Sequence, residues 1–312
     1  MRLPPHQVRF LSLVLLTVTI FPPFAAPSAD QADNKSKDNI QWQDGPTVGK
    51  LGTLGEIKVP AGYRFSGIEG TRKFLELTHN PPNGAELGVL VPVLEENENS
   101  SNFWFVIFEF HEIGYVKDDD KDKLDSEALL KSIQNSTEEG NKERAKRGWT
   151  AYHVSGWYKP PYYDVSTKNL TWATSGYGDL PSKSSGANRE DNVNYSVRIL
   201  GRSGTMDADL VLGNDSVGTA LPRFNEVLKG FSFRQGHSYA EFRAGDKVAE
   251  YGLAALVAGG ATALAAKTGL LAKLWKLIVA LVVGLFAALK RLLNYLKRVL
   301  SGKAADETTQ QG

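Results

Sequence analysis

Hydrophobic and polar positions change period several times along this chain, and the changes predict its elements. Residues 102–115 (NFWFVIFEFHEIGY) alternate Trp104, Val106, Phe108 and Phe110 with Phe105, Ile107, Glu109 and His111. That period of two predicts a strand with the first set buried and Glu109 on the exposed side. Residues 86–94 (ELGVLVPVL) read as a second strong strand, with EENENSS between the two as a loop. Upstream, GKLGTLGEIKVPAGYRF places Leu51, Leu54, Ile57 and Val59 among glycines and a Pro-Ala-Gly turn, a pattern of short strands tightly joined. After Ser66, a candidate N-cap, Ile68, Phe74, Leu75 and Leu77 fall near helical spacing, and Asn80-Pro81-Pro82 ends the run. Residues 124–147 predict a charged helix with Leu124, Ala128, Leu129 and Ile133 on one face and DDDKD ahead of its N-terminus.

Beyond Gly148 the strand period returns in WTAYHVSGWY and YYDVSTKNLTWATSGY, with a turn expected at Pro160-Pro161 between them. Residues 178–192 read as a loop-like insert. VNYSVRILG and TMDADLVLG then predict an antiparallel pair about Arg202-Ser203-Gly204. A last helix over 219–229, with Pro222 near its start, returns through Gly230 to a strand-like FSF. The expected fold is α+β: an antiparallel sheet with two or three packed helices, plus a C-terminal transmembrane helix.

The two ends carry the address. Arg2 and Arg9 precede an apolar run over 10–21 and the small residues of 25–29. That core is about 18 Å long as a helix, short of the ~30 Å hydrocarbon layer, so the reading is a signal peptide over 1–28. A flexible leader over 29–44 and a periplasmic domain over 45–242 follow. Residues 243–269 read as a Gly/Ala-rich juxtamembrane segment and 270–289, which include LIVALVVGLFAAL, as the crossing. The basic amphipathic tail over 290–312 holds Lys290, Arg291, Lys297, Arg298 and Lys303, cations that by the positive-inside bias belong in the cytoplasm. Ala280, Gly284 and Ala288 recur every four residues and form a candidate helix-contact seam. The predicted location is thus a bacterial inner membrane, single-pass, main domain in the periplasm.

Charge and composition remove several classes. The 36 Lys plus Arg against 35 Asp plus Glu leave net +1, with no field to attract nucleic acid. The absence of cysteine excludes disulfides, thiolate metal sites and cysteine nucleophiles. Asp118-Asp119-Asp120-Lys121-Asp122 resembles a calcium loop only in part. Counted from Asp118, position six is Lys123 and position twelve Leu129, so the run reads as a solvated capping turn. His79, His111, His153 and His237 show no HExxH spacing, and no GxSxG elbow or phosphate-cradling glycine loop occurs. No catalytic residue, metal ligand or cofactor is assigned. A constellation of Glu109, His111 and His153 would need their strands to pair. Trp157, Tyr158, Tyr162 and Tyr163 around Pro160-Pro161 form the candidate binding platform for a glycan or partner protein, against the reading that they fill a sheet core.

Six blocks resemble a known family: GPTVGKLGTLGEIKVPAGYRF, TRKFLEL with NPP, IGYVKDDDKDKLD with ALL, GWYKPPYYD with LTWA, NYSVRILGR, and GHSYAEFRAGDKVAEYGLAALVAGG. The family is one of uncharacterised bacterial membrane-anchored proteins known as a domain of unknown function. The likeness runs from about Gly45 to about Leu289 and implies a bacterial source and an envelope location, with no catalytic residues to carry over. Together these readings favour a membrane-anchored periplasmic interaction or assembly module, non-enzymatic. The inner membrane, a second copy or an envelope protein, and a glycan are the partners considered. The alternative is a cell-wall or glycan hydrolase with paired carboxylates drawn from Glu109, Glu112 and Asp164.

Overall fold

The computed structural model describes residues 40–94, 103–179 and 191–258. All of them fall in one compact unit, Met1–Ala261; a second unit, Thr262–Gly312, lies outside the described residues. So do the predicted signal segment, the predicted crossing, the basic tail and the seam of Ala280, Gly284 and Ala288. Among the described residues no helix is long and apolar enough to cross a membrane.

The elements run β1 (Gln43–Asp44), β2 (Thr47–Leu51), β3 (Gly55–Val59), β4 (Tyr63–Gly67), α1 (Ile68–Leu77), β5 (Glu86–Pro92), β6 (Trp104–His111) and α2 (Ser126–Lys146). They continue with β7 (Tyr152–Asp164), β8 (Asn169–Gly178), β9 (Asp191–Leu200), β10 (Thr205–Gly213), α3 (Val217–Leu228), β11 (Phe231–Phe233) and α4 (Leu253–Ala258). Eight strands form one antiparallel sheet in the order β1-β4-β5-β6-β10-β9-β8-β7, and β11-β3-β2 form a second, smaller one. The α+β class and the antiparallel sheet are as the period changes predicted. The β9–β10 hairpin turns where expected, with Leu200 opposite Thr205.

Both faces of the large sheet are covered. On one, Trp104, Val106, Phe108, Leu210 and Leu90 join Ile57 and Val59 of the small sheet and Phe224 and Val227 of α3 in the main core. On the other, Val89, Val91, Phe105, Ile107 and Val211 meet Phe74 and Leu75 of α1. β6 is therefore buried on both sides, and Glu109 is 1% exposed, which corrects its expected place on a solvated face. The alternation of β6 separates two covered faces rather than a buried face from a wet one.

Three boundaries shift for identifiable reasons. Order begins before Gly45, because Trp42 packs edge-on against Phe74 and lies under the Arg64 guanidinium at 5.9 Å. The residue preceding α1 is Gly67 rather than Ser66, whose hydroxyl donates to the Gln41 carbonyl instead. α2 is capped by Asp125, which accepts from the Ala128 amide at 3.0 Å, and its end turns at Gly148 with φ +69°.

The predicted turn at Pro160-Pro161 is absent. β7 is one strand of 13 residues at the edge of the sheet, with register shifts at Val154/Gly156, Trp157/Lys159 and Lys159/Tyr162. An edge strand tolerates prolines because one of its two backbone rows needs no strand partner, and the bulges absorb their geometry. α2 lies along this strand. The Asn141 side chain donates to the Tyr152 carbonyl at 2.8 Å and accepts from the Tyr152 amide at 2.9 Å, while Gln134 donates to the Val154 carbonyl.

Candidate functional site

The charged groups of the interior collect on one face of the central strands. Asp207 of β10 sits opposite Glu109 of β6 on one side and Arg198 of β9 on the other, and Asp209, two residues on, shares their face. Arg198 holds both aspartates: Nε lies 2.9 Å from Asp207 Oδ2 and Nη1 2.9 Å from Asp209 Oδ1. Its guanidinium stacks 4.8 Å over the Trp172 ring, and Ser196 donates to Asp209 Oδ1 at 2.6 Å. His111 Nε2 lies 3.2 Å from Asp207 Oδ2 and 3.4 Å from Glu109 Oε2. Asn83 donates to both Glu109 oxygens. Neighbouring Glu86 is bound by the Asn83 and Gly84 amides and by Arg72 Nε at 3.4 Å.

Burial and charge decide the protonation of these groups. Burial works against a charged His111, but the carboxylate of Asp207 and then that of Glu109 outweigh it and lift the imidazole to about 10. His111 is accordingly a fixed cation at neutral pH. Burial likewise opposes the Arg198 charge, and Asp207, Asp209 and Glu109 overcome it and raise its pKa. Asp209 goes the other way for a carboxylate: burial raises it, and repulsion from Asp207 and Glu109 adds to that against the pull of Arg198.

Of the histidine constellation, the fold joins Glu109 to His111 and leaves His153 out. His153 stands on β7 beside Glu138 at 2.8 Å and Asp179 at 3.2 Å, three strands from β10. His79 stacks on Trp149 at 5.4 Å. The carboxylates named for hydrolysis are also dispersed. Glu112 is exposed, Glu109 is buried, and Asp164 accepts from the Ser166 and Thr167 amides in the β7–β8 turn. Four strand spacings of ~4.8 Å separate β6 from β7, roughly 19 Å, well beyond the ~5 to 10 Å that paired glycosidase carboxylates span. Among the described residues no group of three His, Asp or Glu has the arrangement to hold a metal ion.

The four aromatic residues of the candidate platform divide into two pairs. Tyr158 and Tyr162 stand exposed, at 46% and 56%, next to Val165 at 52%. Trp157 and Tyr163 are anchors: Trp157 Nε1 donates to the Ser126 carbonyl at 3.0 Å, and the buried Tyr163 donates to Asp118 Oδ2 at 2.9 Å. Lys159 lies between the platform and the core, 5.9 Å from the Tyr162 ring and 5.7 Å from that of Tyr195.

The acidic run is a set of clamps. Asp118 takes Lys168 Nζ at 3.0 Å as well as Tyr163, and burial, which would raise its carboxyl, is outweighed by these two partners. Asp120 accepts from the Leu253 and Ala254 amides at the start of α4, where a Cβ on Gly252 would meet its carboxylate at 2.5 Å. Residues 243–258 are therefore bound into the domain: Arg202 grips Asp246 through two 2.7 Å contacts, Tyr115 bridges Val248, and Leu253, Leu256 and Val257 are buried.

Sequence reasoning missed Arg198, Asp207 and Asp209. Their signal was present in VNYSVRILG and TMDADLVLG, where charges interrupt otherwise apolar strands at alternate positions.

The family profile described as "Protein of unknown function (DUF2167)" matches residues 43–290, and the chain belongs to that family. Comparison with curated proteins finds no match. Among solved structures, the cyanobacterial PsbP (CyanoP) of Synechocystis sp. PCC 6803 is similar at 14% identity and TM-score 0.33, over 62% of this chain and 92% of that one. The Ran-binding protein Mog1p of Saccharomyces cerevisiae is similar at 11% identity and TM-score 0.28, over 66% and 99%.

Proposed function

We propose that this chain is a membrane-anchored interaction or assembly module of the bacterial envelope, with its α+β domain in the periplasm and its C-terminus in the cytoplasm. One contrast carries the reading: the charged side chains of the interior are buried and face one another, whereas Tyr158, Tyr162 and Val165 are offered to solvent on a single edge. Exposed tyrosines on a rigid strand supply contact area at small entropic cost, which suits a protein partner or the face of a sugar ring. The tether rests on the apolar run of 277–289 and the cations that follow it.

Affinity capture of the full-length protein from native membranes tests the module. A stoichiometric partner or glycan that is retained by the wild type and lost with Y158A/Y162A, at an unchanged unfolding midpoint, is the expected result. Equal capture by both proteins would overturn the platform. A periplasm-specific reporter fused after Gly236 should be active and one fused after Gly312 silent; activity at both positions would mean two crossings.

A further inference from the structure

The buried network does not balance as an all-ionised set. His111 and Arg198 supply two positive charges, and Glu109, Asp207 and Asp209 supply three negative ones, all on side chains less than a tenth exposed. Two carboxylate oxygens, Asp207 Oδ1 and Asp209 Oδ2, are buried and have no hydrogen-bond partner among the described residues. An ionised carboxylate oxygen stripped of water and left unpaired is among the most costly atoms a protein interior can hold. The two aspartates are separated by one residue on β10, share a face and are bridged by one guanidinium.

The geometry points to a single dissociable proton held between Asp207 and Asp209, which neutralises the network when bound and makes the domain a sensor of mild acidity. The charged groups around it are Arg198 on β9, Glu109 and His111 on β6, and beyond them Glu86 on β5 with Arg72 of α1; Ser196 and Trp172 complete the polar surround. None of these supplies the missing positive charge, since Arg198 and His111 are already counted and Arg72 faces Glu86 and Glu69. The inference does not depend on the membrane tether or on the aromatic edge.

Its consequence has a definite sign. Burial, aided by Asp207 and Glu109, lifts the Asp209 carboxyl from 3.8 to about 6. A raised folded-state value means that the folded chain binds a proton the unfolded chain has released, so the contribution is complete below about pH 4 and is lost as pH rises through about 6. Within that window the unfolding constant grows about tenfold per pH unit from this group alone.

Two measurements on the full-length protein decide the matter. Infrared spectra of the wild type in membranes between pH 4 and 8 should contain the carbonyl band of a protonated carboxylic acid that disappears with a midpoint near 6. D209N should lack it, and D207N should move its midpoint down by removing the repelling charge. In urea unfolding, D209N should differ from the wild type by a factor that changes about 30-fold between pH 4 and 6. A wild-type band that is gone by pH 5, or one that D209N leaves in place, would overturn the inference, and so would wild-type and D209N stabilities that run parallel with pH. The infrared result on the wild type stands even if a variant fails to fold.

Discussion

Replacing Arg198 by Met should be among the most damaging single changes in the domain. The guanidinium is buried, with two carboxylates at 2.9 Å and the Trp172 ring at 4.8 Å, so its removal leaves Asp207 and Asp209 with His111 as the nearest cation. Breaking a buried ion pair from one side costs about 3 to 5 kcal/mol, a large fraction of the ~5 to 15 kcal/mol that holds a domain together. Arg202 is the control. It meets Asp246 through two 2.7 Å contacts, but both side chains keep about a fifth of their surface in water, at 22% and 21%. For so solvated a pair Arg202→Met should cost far less than Arg198→Met. The decisive comparison is the triple variant R198M/D207L/D209L. It removes the whole charged triad and leaves Glu109 facing His111 as a balanced pair. Its stability should recover most of what R198M lost, because the isolated charges and not the lost attraction carry the penalty. Urea unfolding followed by tryptophan fluorescence, with the midpoint and slope both measured, gives the three free energies. A loss below ~1 kcal/mol for R198M, or a triple variant less stable than the single one, would refute the reasoning.

Four further outcomes follow from the same packing and electrostatics. Phe108→Ala should destabilise by about 3 to 5 kcal/mol, and Glu109→Ala by about 1 to 3 kcal/mol, since it takes a buried acceptor from the Asn83 side-chain amide while Asp207 still faces His111; an inexpensive Glu109 variant in denaturant unfolding would return that face of β6 to solvent. His111, raised from 6.5 to about 10, adds stability that is complete below about pH 6.5 and is lost as pH rises through about 10. The melting temperature of the wild type should therefore fall across that window, and that of His111→Gln should fall much less. Asp120→Ala removes the acceptor for the first amides of α4 and should cost about 0.5 to 2 kcal/mol; faster hydrogen exchange over 253–258, with the β6 and β10 amides unchanged, is the expected signature.

The period of the apolar positions was sufficient for the sheet, since every strong alternating run became a strand and the 3.6-residue runs became α1, α2 and α3. What alternation does not carry is which faces are covered. Glu109 and His111 look like the wet side of a strand until the NPPNG loop brings Asn83 onto Glu109 and β10 brings Asp207 onto His111, long-range events that no local window contains. Pro160-Pro161 misled for a related reason. A proline pair signals a turn on local grounds, and only the strand order reveals that β7 is an edge where proline is tolerated. The platform residues were legible as aromatic and surface-prone, but the division of Trp157 and Tyr163 from Tyr158 and Tyr162 depends on Ser126 and Asp118, 31 and 45 residues away in sequence.

The treatment of β7 also bears on how a long rim strand is kept from open-ended pairing with other chains. A 13-residue strand at the rim of an eight-stranded sheet is a template for runaway pairing with other chains. Here the rim is occupied or interrupted at several points. Asn141 occupies both polar groups of Tyr152 as a neighbouring strand would, Gln134 takes the Val154 carbonyl, and two adjacent residues farther on, Pro160 and Pro161, have no N–H to offer. At the opposite rim, β1 is only two residues long. Open-ended growth by strand addition is thereby disfavoured at both rims, and what the β7 rim offers to solvent is the pair of tyrosine rings rather than a bare ladder.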